Sequence, residues 1–494
     1  MRLAFSLLLL LTTLTTLTFN AQPVDTARID RLAQEMTATW KIPGIAVAVV
    51  KDDKVVFLKG YGVREIGTAQ PVTPDTLFQI ASATKAFTTT AMAMLVDDKK
   101  MSWDDPVRKY LDYFRLSDPC ADSLVTLRDI VSHRTGLSRN DELWDYGPWS
   151  REEILRRIGA VKLSKPFRSA YQYQNIMFMA AGEAAASAAG MPWDQLLETR
   201  IFGPLGMRST VIAETAWTKA EHASAHRFDD ATGVTSRAEM YDYESLGPAG
   251  SIKSSARDMA QWLRFQSGNG TINGKRLMSP EALAETKTPQ MVLPDTESTR
   301  LDNPETNINT YGLGWRIQDY RGELLVSHGG ALNRFRAQVN LLPKQRAGFV
   351  ILSNSARGYG VIALRNALAD LLTGQKPRDW NAYYLGREKK EVGDAEKSKS
   401  ERQTKRRQGT RPSREIEAYA GVYSSDAYGE ARVSVENGAL VVQWQRLRIP
   451  LAHYHFDTFA AVVPEEDIDE LVTFRLNAEG DVASFGLFGQ EFKK

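Results

Sequence analysis

The octapeptide FQIASATK, residues 78–85, contains the one serine of the chain that has a lysine three positions later. The stretch that follows, residues 86–101, has no Gly or Pro and is rich in Ala, Thr, Met and Leu. It therefore predicts a buried helix with Ser82 in the first turn. Residues three apart lie on one face of a helix, so the Ser82 hydroxyl and the Lys85 amine are expected to meet. Because a serine hydroxyl becomes a nucleophile when a neighbouring base takes its proton, the pair is a candidate for acyl transfer.

The composition is typical of a soluble globular protein with more than one folding unit. The chain has 494 residues, of which 43% are hydrophobic and 25% charged. This length predicts two domains, or one large domain with an appendage. The net charge of +2 gives no indication of a nucleic-acid partner. A lone cysteine, Cys120, excludes an intrachain disulfide.

The first 21 residues differ from the rest of the chain. Arg2 precedes an apolar run, residues 3–10, which continues with interspersed threonines to Phe19. This pattern predicts a secretory signal peptide over residues 1–21, cleaved near Ala21 or Gln22. An uncleaved membrane anchor is the alternative. Cleavage would leave no integral membrane span and would place the protein in the periplasm or outside the cell.

Strand-like runs lie near both ends of the region 22–387, with mainly helical pattern between them. The apolar and β-branched runs that predict strands are 45–50, 55–61, 324–327, 335–342 and 349–353. The middle, from about Ser82 to Trp315, predicts helices joined by Gly- and Pro-rich loops. This order predicts an α+β domain over residues 22–387, with one sheet assembled from distant segments.

A charged segment separates this domain from the C-terminal part. Residues 388–414 contain ten Lys/Arg and five Asp/Glu, together with Gly409 and Pro412, which predicts a flexible, solvated linker. Beyond it, short strand candidates recur, and Asn437-Gly438 is a strong hairpin signal between two of them. Residues 415–494 therefore predict a separate small all-β domain, a barrel.

Two further motifs offer the other groups that a serine hydrolase needs. Tyr173 and Asn175 precede the helical run 176–188, where they could bring a phenol and an amide into one cleft. His328-Gly329-Gly330 ends a predicted strand, and glycines there let a substrate approach the backbone closely. Considered separately, Tyr173 could equally be a core residue, and the two glycines after His328 could equally form an ordinary turn between strands.

Taken in order, the three motifs resemble those of the serine β-lactamase and penicillin-binding-protein superfamily. The most similar branch is class C with its related esterases and D-aminopeptidases, the CubicO group or peptidase S12-like proteins. Further matching segments are 126–137, 249–258 and 311–315, and the resemblance covers about residues 24–375. Residues 451–459 resemble the lipocalin-like C-terminal domain of some members. The resemblance implies a class C β-lactamase-like sheet flanked by helices, an all-helical lobe and a small C-terminal β-barrel.

The resemblance also implies a role for each motif residue. Ser82 would attack a carbonyl and form an acyl-enzyme, while Lys85 and Tyr173 share the proton transfer, either of them as the base. Asn175 would hold the acyl-side amide of the substrate. The backbone N–H groups of Ser82 and of Ala331, the residue after the glycines, would form the oxyanion hole.

One motif position departs from the β-lactamase pattern. The β-lactamases have a lysine where this chain has His328, which as an ordinary histidine is neutral about as often as charged near neutral pH. A histidine can still hydrogen-bond Tyr173, but the loss of the fixed charge favours esters or peptides over β-lactams. His133, within the segment 126–137, is expected to be structural.

The sequence therefore predicts a secreted serine hydrolase that cleaves an amide or ester bond in a small-molecule or peptide substrate. Its expected site is Ser82, Lys85 and Tyr173, with Asn175, His328, Gly330 and Ala331 binding substrate, and with no metal or cofactor. A homo-oligomer is compatible with the sequence. Three alternatives stay open: a class C-like β-lactamase, a penicillin-binding protein that acylates with little turnover, and a scaffold whose C-terminal barrel binds the ligand.

Overall fold

The computed structural model describes residues 24–230 and 232–494, so the predicted signal peptide lies outside the described residues. At its centre is an antiparallel sheet of eight strands, in the spatial order β2-β1-β8-β7-β6-β5-β4-β3. In chain order these strands are β1 (Gly44–Lys51), β2 (Lys54–Gly62), β3 (Met291–Val292), β4 (Asn309–Tyr311), β5 (Arg316–Tyr320), β6 (Glu323–Leu332), β7 (Phe335–Leu342) and β8 (Ala347–Ser353). The strand β1 of the first hairpin thus pairs with the strand β8, which lies about 300 residues later, and Ile45 is opposite Ser353. The predicted α+β class, with one sheet assembled from distant segments, is confirmed.

Six helices of twelve residues or more surround the sheet. They are α1 (Thr26–Trp40), α2 (Thr84–Asp97), α3 (Asn175–Ala189), α4 (Ala256–Ser267), α5 (Gly358–Thr373) and α6 (Trp380–Lys405). Shorter α-helices are Pro119–Leu124, Leu127–Val131, Glu142–Asp145, Arg151–Arg157, Trp193–Leu197, Gly203–Leu205, Glu214–Trp217, Pro280–Thr286 and Glu297–Asp302. Small two-stranded sheets pair Phe78–Gln79 with Lys253–Ser254, His226–Asp229 with Val234–Arg237, and Thr271–Ile272 with Lys275–Arg276. In the described part of the chain, every helix is too short or too polar to span a bilayer.

Helices cover both faces of the sheet, and β1 marks the division between two cores. Alternate residues of a strand point to opposite faces. Ala46, Ala48 and Val50 accordingly join the core that contains α2, α3 and α4, whereas Ile45, Val47 and Val49 join the core that contains α1 and α5. The strand therefore reads as a continuous apolar run instead of alternating with polar residues.

The helix α2 is buried on every side. All residues from Thr84 to Leu95 are inaccessible or nearly so, Lys85 included. Its Phe87 ring stacks on Trp262 of α4 with the ring centroids 3.8 Å apart. A helix without an exposed face is fixed by its neighbours, so α2 is a rigid base for the residues in its first turn.

The charged segment predicted to be flexible is largely helical. Residues 388–405 continue α6, which begins at Trp380 and ends at Lys405. Ion pairs four residues apart, Arg387–Glu391 and Lys390–Asp394, stabilise the exposed turns. Charge content alone therefore predicted disorder wrongly here, because opposite charges recur at helical spacing.

The C-terminal strands form a closed antiparallel barrel in sequence order. They are β9 (Gly421–Ser425), β10 (Gly429–Glu436), β11 (Ala439–Trp444), β12 (Leu447–His455), β13 (Thr458–Val463), β14 (Ile468–Leu476), β15 (Val482–Leu487) and β16 (Gln490–Lys493). Asn437 and Gly438, with φ of 50° and 77°, form the predicted turn between β10 and β11. Aromatic rings fill the interior, as in the pairs Phe485–Phe492 at 5.2 Å and Phe474–Phe485 at 5.3 Å. A barrel packed in this way does not favour a ligand site inside it.

Candidate active site

Ser82 lies where the chain turns into α2. A short 3₁₀ turn, Ala81–Ala83, comes directly before the helix. The buried Ala81 has φ of 49°, a left-handed conformation that costs a non-glycine residue about 1–3 kcal/mol and that is concentrated at functional sites. Between buried neighbours, the bend leaves Ser82 partly exposed on the wall of a cleft.

The Lys85 amine lies beside the Ser82 hydroxyl, as the spacing predicts. Its Nζ is 3.1 Å from Ser82 Oγ, 2.7 Å from Asn175 Oδ1 and 2.8 Å from the carbonyl oxygen of Ala249. The side chain is fully buried, and no carboxylate is among these three acceptors. The Lys85 nitrogen is therefore surrounded by uncharged oxygens, and it lies within hydrogen-bond distance of the Ser82 hydroxyl.

Burial determines the protonation of Lys85. It lowers the pKa of the amine well below the ordinary lysine value, because the ammonium form loses its hydration. The charge of Asp141 acts in the opposite direction and raises this pKa, whereas the charge of Arg139 lowers it. A lysine with a lowered pKa provides the neutral amine that a general base requires.

Tyr173 lies over the same pair of residues. The Lys85 Nζ is 4.9 Å from the centroid of its ring, and the phenol is hydrogen-bonded with Ser82. Burial raises the pKa of Tyr173 well above its ordinary value, so the phenol keeps its proton at neutral pH. Of the two candidate bases that the sequence leaves open, burial thus favours the unprotonated amine of Lys85 and the protonated phenol of Tyr173.

His133 packs against the ring of Tyr173. Its ring centroid is 4.4 Å from that of Tyr173, and its Nδ1 accepts the backbone N–H of Gln174 at 3.1 Å. The histidine is fully buried and has φ of 61°. Because His133 contacts both Tyr173 and Gln174, it fixes the course of the chain just before Asn175, where α3 begins.

Asp141 is a site residue that the sequence reasoning missed. The Asn175 amide donates from Nδ2 to Asp141 at 3.0 Å, while its Oδ1 accepts from Lys85. Trp144 Nε1 also donates to Asp141 at 2.8 Å, and Arg139 forms an ion pair with the carboxylate. Asn175 thus connects the amine to a carboxylate. A lone Asp in a loop gave no signal, because neither its spacing nor its neighbours match a motif.

His328 has a different partner from the one its motif suggested. The sequence allows a hydrogen bond with Tyr173, but the partner of His328 Nε2 is the hydroxyl of Tyr311 at 3.0 Å, and the ring centroids of Tyr173 and His328 are 6.5 Å apart. Nδ1 is 2.7 Å from the carbonyl oxygen of Gly329, which can only accept, so Nδ1 carries the proton and Nε2 accepts from Tyr311. Burial, the largest cause, acts together with the charges of Lys85 and Arg316 to lower the pKa of His328 to about 3. The imidazole is therefore neutral.

Gly330 brings the strand β6 against the turn that contains Ser82. A Cβ at this position would lie 2.0 Å from the carbonyl oxygen of Ile80 and 3.2 Å from the Cβ of Ala81. Only glycine permits this approach. Ala331 follows it, exposed at the edge of the cleft, so its backbone is next to Ser82.

The cleft in front of Ser82 has a volume of about 460 Å³ and a positively charged wall. Arg139, Arg316, Arg336 and Arg365 line it, and in the described part of the chain no Asp or Glu does. Nor do the described residues contain a group of three or more His, Cys, Asp or Glu side chains placed to hold a metal ion. The cleft therefore suits an uncharged or anionic organic substrate.

Comparison with known proteins agrees with this geometry. Residues 29–373 match the family described as Beta-lactamase, and residues 405–494 match a domain of unknown function, DUF3471. The "Unguisins hydrolase ungD'" of Aspergillus campestris is 32% identical over 380 residues, 72% of this chain and 67% of that protein. "Protein flp" of Staphylococcus aureus is 24% identical over 343 residues, 67% of this chain and 64% of that protein.

Solved structures share the fold over nearly the whole chain. The octameric penicillin-binding protein homologue from Pyrococcus abyssi has a TM-score of 0.62 and 21% identity, and the match covers 95% of this chain and 100% of that one. The crystal structure of SurE has a TM-score of 0.58 and 18% identity, covering 95% and 99% of the two chains. Both matches extend into the barrel, because they cover more than the first domain.

We expect His328 to stay neutral across the range in which ordinary histidines titrate, because burial lowers its pKa to about 3. ¹⁵N NMR of histidine-labelled protein should show a His328 signal with the proton on Nδ1 and no titration between about pH 5 and 8. The signal is assigned by its loss in His328→Gln. A His328 that takes up a proton near pH 6.5 would contradict the buried arrangement with Tyr311.

Proposed function

The chain belongs to the beta-lactamase family of serine hydrolases, and from this we propose that it hydrolyses an amide or ester bond through an acyl-enzyme on Ser82. The observation that carries the proposal is the buried Lys85 amine, 3.1 Å from the Ser82 hydroxyl and away from any carboxylate contact. The relative named Unguisins hydrolase supports a hydrolytic reaction over mere acylation.

In acylation, Lys85 is the general base. Its lowered pKa makes the neutral amine available, whereas the raised pKa of Tyr173 keeps that phenol protonated. Lys85 takes the Ser82 proton as Oγ bonds to the substrate carbonyl carbon. The proton then passes through the Tyr173 hydroxyl to the leaving alcohol or amine as its bond to the carbonyl breaks. Lys85 is neutral again, and the acyl group remains as an ester on Ser82.

The backbone N–H groups of Ser82 and Ala331 would stabilise the negative charge of the tetrahedral intermediate. Gly330 supports this role, because the strand can approach the Ser82 turn only without a side chain there. Such a donor is worth about 3–4 kcal/mol of transition-state stabilisation. Water then attacks the ester and gives its proton to Lys85, and Ser82 regains a hydrogen as the acid leaves.

A carboxylate on the substrate is the second feature we propose. His328 is neutral and does not supply the fixed charge of a lysine, but Arg316 is close enough for its charge to lower the pKa of His328. Arg316 begins β5 opposite Ser327 and lines the cleft. It can take the place of the missing lysine as a carboxylate partner, so β-lactam hydrolysis remains a second candidate activity.

The remaining expectations concern where and in what state the protein acts. The predicted signal peptide would place the activity in the periplasm or outside the cell. The similar structure from Pyrococcus abyssi, described as octameric, supports a homo-oligomer. Size-exclusion chromatography with light scattering of the protein lacking residues 1–21 tests that state.

Ser82→Ala is expected to abolish hydrolysis of p-nitrophenyl butyrate, and Lys85→Ala and Tyr173→Phe to lower kcat by about 10²–10⁴-fold, the range of general acid–base catalysis. Mass spectrometry of the wild-type protein with a slowly released ester should place the acyl mass on the peptide that contains Ser82. Ser187→Ala, at an exposed serine of α3, is the control. More than a few per cent residual activity in Ser82→Ala would remove the nucleophile assignment.

Asp141→Asn and Arg139→Gln should move the acidic limb of the pH profile of kcat/KM in opposite directions. The base acts unprotonated, so activity falls as the pH drops through the pKa of Lys85. Asp141 raises this pKa and Arg139 lowers it, so Asp141→Asn shifts the limb to lower pH and Arg139→Gln to higher pH. Shifts in the same direction would mean that the limb belongs to another group.

Arg316→Gln should discriminate between paired substrates that differ only in a carboxylate or a carboxamide. We expect kcat/KM for the carboxylate form to fall about tenfold or more, the scale of a hydrogen bond to a charged group. The carboxamide form and p-nitrophenyl butyrate should change by less than twofold. Nitrocefin belongs in the same panel, and a wild-type preference for it by orders of magnitude would make β-lactam hydrolysis the principal activity. Equal losses for both members of the pair would remove the carboxylate role.

A further inference from the structure

A second groove, between the catalytic domain and the barrel, continues from the cleft of Ser82. It has a volume of about 470 Å³. Trp144, Tyr241 and Tyr243 line its catalytic-domain side, and Glu465–Asp467 in the turn between β13 and β14 line its barrel side. We call it the inter-domain groove.

The groove and the cleft share a stretch of backbone. Ala331 and Arg336 line both of them. The strand β5 pairs with β6 only as far as Ser327, whereas β6 continues to Leu332, so this edge of β6 has no strand neighbour beyond Ser327 in the described chain. An extended substrate bound at Ser82 can therefore follow β6 past Ala331 into the groove.

The barrel wall of the groove is held in place by specific contacts. The Arg446 guanidinium lies against the rings of Tyr146 and Tyr241, at 4.7 and 4.3 Å from their centroids, and pairs with Glu466 at 2.7 Å. Arg334, in the turn after β6, pairs with Asp467 at 2.8 Å. These contacts join the barrel turn to the end of the catalytic strand, so the groove is formed before substrate binds.

The β6–β7 turn is also fixed to the aromatic side of the groove. Asn333 accepts the backbone N–H of Tyr241 at 3.0 Å and donates to the carbonyl oxygen of the same residue at 2.7 Å. Its amide thus pairs with Tyr241 as a neighbouring strand would. The aromatic wall and the end of β6 therefore form one surface.

The lining combines aromatic rings with five acidic and four basic side chains, and Arg334 pairs with Asp467 across the groove. Balanced charges do not attract a polyanion, and the polar rims do not suit a lipid chain. A peptide has both apolar side chains and backbone hydrogen-bonding groups, and it matches this lining. Since the proposed carboxylate partner Arg316 lies at the other end of the cleft, where a leaving group with a C-terminal carboxylate would bind, the acyl side of the substrate points towards Ala331.

We propose that the inter-domain groove binds the part of a peptide substrate on the acyl side of the cleaved bond, with the barrel turn Glu465–Asp467 as one wall of this subsite. This inference rests on the proposed function. The barrel is then a specificity-determining part of the enzyme. Bulky side chains at two places should block the groove without touching Ser82: Ala238, half-buried on the catalytic side, and Glu465, exposed on the barrel turn.

The test uses two esters with the same leaving group, p-nitrophenyl acetate and the p-nitrophenyl ester of N-acetyl-Phe-Gly-Gly-Gly, on the full chain. The wild type should hydrolyse the peptide ester with at least tenfold higher kcat/KM than the acetate. Ala238→Trp and Glu465→Trp should each remove most of this advantage and change acetate hydrolysis less than twofold. Glu479→Trp, at another exposed turn of the barrel, is the matched control and should change neither.

No peptide advantage in the wild type, or an advantage kept by both blocked variants, would overturn the inference. Acetate hydrolysis that survives Ser82→Ala would instead contradict the proposed function. Photo-crosslinking needs no groove variant. It uses the Ser82→Ala protein and the corresponding peptide amide with p-benzoylphenylalanine in place of Phe. Crosslinks to residues 241–243 or 465–467 support the subsite, and crosslinks only elsewhere overturn it.

Discussion

The enclosure of one lysine is the constraint on which this structure depends. An amine without water contact must be satisfied by protein atoms, and Lys85 is within hydrogen-bond distance of three oxygens: the Ser82 hydroxyl, the Asn175 amide and the Ala249 carbonyl. Each comes from a different segment of the chain. The buried α2, the start of α3 and the turn before Lys253 must therefore meet at one point for the amine to be accommodated. The same enclosure lowers the pKa of the amine, so packing and reactivity have one cause.

Much of this could be predicted because motifs encode local geometry. Ser82 and Lys85 lie one helical turn apart, and Gly330 is required because the backbone of Ile80 approaches it closely. Asn437 and Gly438 adopt the positive φ values that a tight hairpin turn requires. The β1–β2 hairpin follows from its apolar pattern. These features depend on a few neighbouring residues, and a sequence displays such neighbours directly.

What the sequence did not reveal depends on contacts between distant residues. Asp141 is connected to Lys85 through Asn175, and Tyr311 of β4 meets His328 of β6 across the intervening strand β5. The neutrality of His328 follows from burial, which no motif reports. The charge content of the segment after residue 388 predicts disorder, whereas the four-residue spacing of its opposite charges stabilises the helix α6.

The helical connection has a consequence for how the barrel can be placed. A helix of 26 residues extends about 39 Å and turns about 100° per residue, and Arg402 near its end pairs with Asp469 of the barrel, so the helix transmits both distance and orientation. A disordered tether would absorb a change in length, whereas one added residue in α6 would swing the barrel through more than a quarter-turn. Arg446 and Arg334 could then no longer meet their partners. The length of α6 therefore sets the orientation of the barrel relative to the first domain. Insertions and deletions in related chains should accordingly lie outside α6.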